Sequence, residues 1–249
     1  MVSLGLLTSK DFRKVCMRLQ FLILVAIAIL ITFSPYDQTQ GEVSKLLYVH
    51  VPTVWVAYLA YTATFIYSLR YLISKKPLFD QIAASSAKVG VSFTVATLIA
   101  GSLWGRLTWG TWWVWGDTRL NLTALLLFVY LGYIVSRGTK PTYRYALAKR
   151  SGYIGTFGII QLPIIHFSVL WWRSVHQPAT ILSQETASTG SVPMSTDILI
   201  SLMTAVALFT LYYLVELNRI VKVEKKYWDN EFDMGDRKKV SEPVLKEDD

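Results

Sequence analysis

The residues of this chain best suited to chemistry are its histidines and a run of tryptophans. It holds three histidines, His50, His166 and His176. Five of its nine tryptophans, Trp104, Trp109, Trp112, Trp113 and Trp115, crowd into the run from Trp104 to Trp115. Gly105, Gly110 and Gly116 interrupt this stretch, which makes it a poor helix or strand core. An indole combines a large apolar face with one N–H donor. A loop of them makes a flat platform for a large, planar, mostly apolar ligand. Imidazole nitrogens bind metals, and two imidazoles on opposite faces of a macrocycle commonly hold haem iron. The sequence contains no Walker A run, no GxGxxG after a strand, no HExxH and no visible Ser/His/Asp set. An ATP-driven step would have to come from a partner.

The elements that must position these residues are membrane helices. The chain is 53% hydrophobic and 17% charged over 249 residues, with a mean hydropathy of +0.37. Its apolar residues come in blocks rather than in amphipathic stripes, as in a polytopic membrane protein. Six spans are predicted, at 17–34, 47–69, 84–104, 120–136, 153–171 and 197–219. Each is near the ~20 residues a helix needs to cross the hydrocarbon core. Lipid offers no partner to backbone polar groups, so every span must be helical and the fold all-α. The first segment, with Lys10, Arg13 and Lys14 before an apolar run, resembles a signal peptide. No small-x-small site follows Phe33-Ser34-Pro35, so it reads as a retained helix. The expected organisation is a six-helix membrane domain over 1–221, with an outer tryptophan loop at 104–120 between the third and fourth spans. A charged tail over 222–249 reads as a solvated helix end followed by disorder.

Charge sets the orientation. Of the 25 Lys and Arg, only Lys45, Arg106, Arg119 and Arg173 fall in connections on the tryptophan side; all the others fall on the opposite side. By the positive-inside rule, both termini face the cytoplasm or matrix and the tryptophan loop faces out. The net charge of +8 is then largely a topology signal and calls for no nucleic acid. The single cysteine, Cys16, excludes an internal bridge or CxxC pair.

All three histidines lie on the tryptophan side. His50, in Tyr48-Val-His-Val-Pro52, begins the second span, where Pro52 suits a first helical turn. His166, in Leu162-Pro-Ile-Ile-His-Phe-Ser168, sits near the outer end of the fifth span. His176 lies just beyond that end, out of register with the helix, as an alternative ligand or a partner contact. The residues alone leave two readings open. One is a shared site with His50 and His166 as iron ligands. The other is a set of interfacial polar residues under an unusually rich aromatic belt, which suits Trp171 and Trp172. Arg106, Arg119 and Arg173 suit carboxylates such as haem propionates, or are solvated, or pair with Asp117 or Glu185. Asp117 is either an acceptor orienting a ligand histidine or the N-cap of the fourth span.

Several motifs carry a family resemblance. The run Trp109-Gly-Thr-Trp-Trp-Val-Trp115, with Asp117, Arg119 and Leu120, resembles the tryptophan-rich "WWD" signature of haem-handling membrane proteins. With Leu46-Leu-Tyr-Val-His-Val-Pro52, Gly101-Ser-Leu-Trp-Gly105, Leu162-Pro-Ile-Ile-His-Phe-Ser-Val169 and Trp171-Trp-x-x-x-His-Gln177, it is similar to the haem exporter protein C (CcmC) family of system I cytochrome c maturation. These motifs span most of residues 40–180 in the family's order. The resemblance implies a protein of the bacterial plasma membrane or mitochondrial inner membrane that binds b-type haem as cargo on the outer face. It implies delivery of that haem to the chaperone CcmE, with the ABC transporter subunits CcmA and CcmB and the small subunit CcmD releasing the loaded chaperone. It places His50 and His166 as axial ligands, and Trp109 to Trp115 with Asp117 and Arg119 as the surface that meets haem and chaperone. Gly116 stands between Trp115 and Asp117, where the family runs directly from Trp to Asp. The chain then reads as an assembly factor rather than an enzyme, even where it promotes haem attachment to the chaperone. A haem transporter would want polar or ionisable groups deep in the spans, which look nearly free of them. An electron carrier would need histidines near the inner side. A scaffold of the ABC transporter would not need His50 for haem.

Overall fold

The computed structural model describes residues 9–138, 145–172, 174–176 and 194–241, with side chains as far as 225. These residues form α1 (Ser9–Phe33), a 3-10 turn (Gly41–Leu46), α2 (Leu47–Ser74), α3 (Pro77–Trp109), α4 (Thr118–Ser136), α5 (Tyr145–Phe157), a second 3-10 turn (Gly158–Ile160), α6 (Gln161–Trp171) and α7 (Thr196–Ser241). Helix α5, the turn and α6 run on as one span, so six spans are long and apolar enough to cross a membrane. Among the described residues there is no strand. The chain is a multi-pass membrane protein.

Local chemistry sets the helix ends. Lys75 takes a left-handed φ of 58° to close α2, and Pro77 opens α3, where its missing N–H costs nothing. Gly110, at φ +76°, ends α3, because a residue with a Cβ adopts that conformation only at a cost. Helix α3 therefore runs through Trp109, beyond the expected end at 104. The chain joining it to α4 is only residues 110–117. Gly105 stays helical because it is covered: a Cβ there would lie 3.1 Å from Trp109 Cε3. Helix α7 likewise continues to Ser241, through much of the expected tail.

Helices α2 and α3 form an antiparallel pair at the centre, flanked by α7 on one side and by α4 and α5 on the other. Helix α2 lies against α5 and the 158–160 turn, whereas α6 packs on α4. Helix α4 thus touches both halves of the fifth span, whereas α2 packs mainly on the first half. The central cluster is aromatic: Tyr61 and Tyr130 stack with centroids 3.7 Å apart, beside Tyr133, Leu126, Leu162 and Ile165. Tyr61 seats in α3 at Gly90, where a Cβ would come 2.6 Å from Tyr61 Cε1. Its hydroxyl lies 2.8 Å from Thr94 Oγ1.

Just beyond the expected spans 84–104 and 120–136, a buried charge is paired with a half-buried one. Asp80 is buried and meets both Nη atoms of Arg137, each at 2.6 Å. Arg137 also donates to Ser151 Oγ at 2.7 Å. Small hydroxyls such as Ser68, Ser85 and Ser86 are buried too; they are apolar enough by average to hide in a hydropathy profile. The ion pair, however, joins the first turn of α3 to the C-cap of α4. It lies near the bundle end opposite the tryptophans, not at mid-depth.

Candidate functional site

The first turn of α2 places His50 against α3. Its Nδ1 lies 3.1 Å from the Thr97 carbonyl oxygen. A carbonyl only accepts, so Nδ1 carries the proton and Nε2 keeps its lone pair. One turn further along α3, Gly101 leaves the room the ring needs: a Cβ there would sit 2.8 Å from His50 Cε1. Trp104 meets the ring edge-on, with centroids 6.1 Å apart and planes at 80°.

His176 reaches the same end of the bundle from the segment after α6, and Asp117 holds it there. Asp117 is 1% exposed and accepts three hydrogen bonds. Oδ1 takes the Leu120 amide at 3.0 Å, which makes Asp117 the N-cap of α4. Oδ2 takes the Ser174 hydroxyl at 2.6 Å and the Val175 amide at 2.9 Å. His176 Nδ1 then lies 3.3 Å from Oδ1, and the ring stands edge-on to Trp109 with centroids 5.2 Å apart. Burial keeps the His176 pKa below its ordinary 6.5, against the pull of Asp117, so the ring is neutral at pH 7. A neutral ring with Nδ1 toward a carboxylate presents Nε2 as the lone-pair nitrogen. Burial pushes the Asp117 carboxyl up, but the bonds from Ser174, Leu120 and Val175 outweigh it and hold it below 3.8.

His166 is placed differently. Its backbone carbonyl accepts from Arg119 Nη2 at 2.7 Å, and its ring stands edge-on to Phe167. Its ring nitrogens have no hydrogen-bond partner among the described residues. Arg119 is half-buried and its Nε lacks a partner among the described residues. Its charge acts on the His176 imidazole. The structure thus sets His50 against α3 and His176 beside Asp117, and ties the backbone of His166 to Arg119. The place of His176 beside Asp117 is not legible in the sequence, because the two are far apart in the chain.

The tryptophans divide into two sets. Trp104 and Trp109 ride the last turns of α3 and face histidines; Trp104 Nε1 donates to Gln40 Oε1 at 3.1 Å. Trp112, Trp113 and Trp115 belong to the loop. Trp113 Nε1 donates to Asn121 Oδ1 at 3.2 Å, and Asn121 Nδ2 donates to the Trp115 carbonyl at 2.6 Å. Trp112 and Trp115 are 59% and 82% exposed. Indoles so open on a tightly held loop form an aromatic surface that none of the described residues covers. Arg106 is exposed and donates to the Gly110 carbonyl, closing the end of α3. Arg173 lies outside the described residues. Thr97, Asn121 and Ser174 make contacts here that sequence reasoning did not name, and Gly101 was named only within the Gly101-Ser-Leu-Trp-Gly105 motif. Of the first three only Asn121, a lone amide in the first turn of an apolar span, carried a signal.

Comparison with known proteins agrees with these motifs. The sequence profile of the family described as heme exporter protein C matches residues 6–230. A ccmC-like mitochondrial protein of cytochrome c biosynthesis from Marchantia polymorpha is 40% identical over 161 residues, covering 65% of this chain and 67% of that protein. The heme exporter protein C of Bradyrhizobium diazoefficiens is 36% identical over 181 residues, covering 72% of this chain and 66% of the relative. That of Haemophilus influenzae is 34% identical over 200 residues, covering 80% and 79%. The chain thus spans about two thirds of the length of the first two.

Proposed function

This chain belongs to the heme exporter protein C family, and we propose that it binds haem at the tryptophan end of the bundle and hands it to a haem chaperone of the CcmE type. The carrying observation is the placement of two imidazoles at the tryptophan end. His50 Nδ1 lies 3.1 Å from the Thr97 carbonyl oxygen, and His176 Nδ1 faces Asp117 Oδ1 at 3.3 Å without a hydrogen bond to it, so Nε2 of each ring is the nitrogen turned from its neighbour's oxygen. Two such nitrogens suit an iron whose other ligands come from a macrocycle. Among the described residues no cluster of three or more His, Cys, Asp or Glu is arranged for a bare metal ion. Trp104 and Trp109 wall the imidazoles, Arg119 offers an unpartnered N–H to a carboxylate, and Trp112 and Trp115 give a partner an apolar surface to dock on. The haem is b-type cargo. The tryptophan end faces outward by the charge distribution, with termini on the cytoplasmic or matrix side of a bacterial or mitochondrial inner membrane. CcmA, CcmB and CcmD are the expected partners for release of the loaded chaperone.

The axial pair is His50 with His176, and His166 is the competing second ligand. Absorption spectra of protein purified from haem-replete cells test both. His50→Ala and His176→Ala should each lose the six-coordinate low-spin bands, and His166→Ala should keep them. Loss in His166→Ala with retention in His176→Ala would reverse the assignment. A folded wild type without haem, even beside the chaperone, would sink the haem reading and favour a scaffold role.

A further inference from the structure

We propose that Gly101 and the backbone of Thr97 are positioning residues that set the ring plane and tautomer of His50. The inference rests on the haem reading and assigns its geometry to α3. The α2–α3 interface uses the same device twice. Tyr61 and His50, eleven residues apart on α2, seat against Gly90 and Gly101, eleven residues apart on the antiparallel α3. In each case a Cβ would collide with the ring, at 2.6 Å for Tyr61 and 2.8 Å for His50. In each case an oxygen one turn away in α3 takes the ring's polar atom: Thr94 Oγ1 at 2.8 Å for Tyr61, and Thr97 O at 3.1 Å for His50.

The two seats differ in what they leave free. Tyr61 is fully buried and its hydroxyl is satisfied. His50 is only half-buried, and its Nε2 stays unbonded among the described residues. Thr97, Gly101 and Trp104 recur at helical spacing on one face of α3. They supply the acceptor, the gap and an edge-on ring. A metal-bound imidazole keeps its orientation through the bond its other nitrogen makes. Here that acceptor is main chain, which no side-chain substitution at 97 removes. Gly101 is therefore the position at which the seat can be altered.

The test compares the full-length protein with Gly101→Ala, Gly90→Ala and His50→Ala, each purified with haem and read by absorption and by electron paramagnetic resonance. In low-spin ferric haem the g-values follow the angle between the two axial imidazole planes. Gly101→Ala should shift the g-values and weaken haem binding about 10- to 100-fold, the usual loss for an orienting contact. Gly90→Ala imposes an equal clash away from the site and should leave the g-values in place. A folding-safe pair repeats the test. In His50→Gly, added free imidazole should restore the low-spin spectrum by occupying the seat. In His50→Gly/Gly101→Ala, where no ring is present to clash, the same imidazole should bind about 10- to 100-fold more weakly. Equal g-shifts in Gly90→Ala and Gly101→Ala, or equal imidazole rescue with and without Gly101, would overturn the proposal. An unchanged spectrum in His50→Ala would instead overturn the haem-ligand reading itself.

Discussion

Replacing Asp117 should release the segment that carries His176 while leaving the helices in place. Its two oxygens receive three donors, two of them from residues 174 and 175. A hydrogen bond to a charged group contributes about 1.5–3 kcal/mol. Both tether bonds end on one oxygen, so about 3 kcal/mol is the fair sum for the tether. Loss of the N-cap adds about 1 kcal/mol at the start of α4. At about 1.4 kcal/mol per tenfold, Asp117→Ala raises the open population of the tether about 100-fold. Asp117→Asn is no conservative change: it has one oxygen for two clusters of donors, and its amide must face an N–H or the Ser174 hydroxyl. The assay is hydrogen exchange by mass spectrometry on apo-protein in detergent, comparing peptides over 172–176 and over the start of α4. The pH dependence follows in sign. The folded carboxyl titrates below its ordinary 3.8, so its contribution is complete above that value and is lost as pH falls through the folded value. Protection of the Val175 amide should therefore be flat between pH 8 and 5. Exchange that quickens at the Leu120 amide alone, with 172–176 unmoved, would refute the tether and leave Asp117 as a cap.

Three further outcomes follow from the same contacts. Asp80→Ala strands the Arg137 guanidinium and should cost about 3–5 kcal/mol; folded protein recovered from membranes should drop sharply, and Asp80→Ala/Arg137→Met should recover much of it. Gly110→Ala forces a Cβ into φ +76° and should cost about 1–2 kcal/mol, read as a lower melting temperature in detergent without a change in helix content. Trp115→Ala removes a side chain that is 82% exposed; stability should move by less than about 0.5 kcal/mol, whereas capture of the haem-accepting chaperone on the purified protein should weaken. A large loss of stability would instead assign Trp115 to packing.

The spans were legible because lipid permits helices alone, and six apolar blocks then fix six spans. Their ends were less so. The run from Trp104 to Trp109 reads as loop by composition, since glycine disfavours helix by about 1 kcal/mol. Local cover offsets that cost: the Trp109 ring, one turn on in the same helix, lies over Gly105, and α3 continues until Gly110 takes a conformation that ends it. The ion pair of Asp80 and Arg137 was hidden for a related reason. Each sits in a basic connection on the sequence, where charges read as solvated, yet the hairpin geometry turns both inward.

The site shows the same limit in sharper form. Residue type sufficed to single out three histidines and a tryptophan run, because both are rare and all fall on one side of the charge pattern. How His50 and His176 are placed is decided by contacts across 47 to 59 positions of chain, between Thr97 and His50 and between Asp117 and His176. Neither contact has a local signature. His176 looked mobile because it follows a helix end, yet a carboxylate reading as an ordinary N-cap also accepts the Ser174 and Val175 donors beside it. His50 and His176 are consequently held by unlike means. His50 is fixed at the α2–α3 interface by Thr97 and Gly101. Among the described residues, His176 sits on a short segment whose Ser174 and Val175 donors end on Asp117. On the proposed reading, a haem held between the two would have one firm and one releasable ligand, and His176, the releasable one, stands against Trp109.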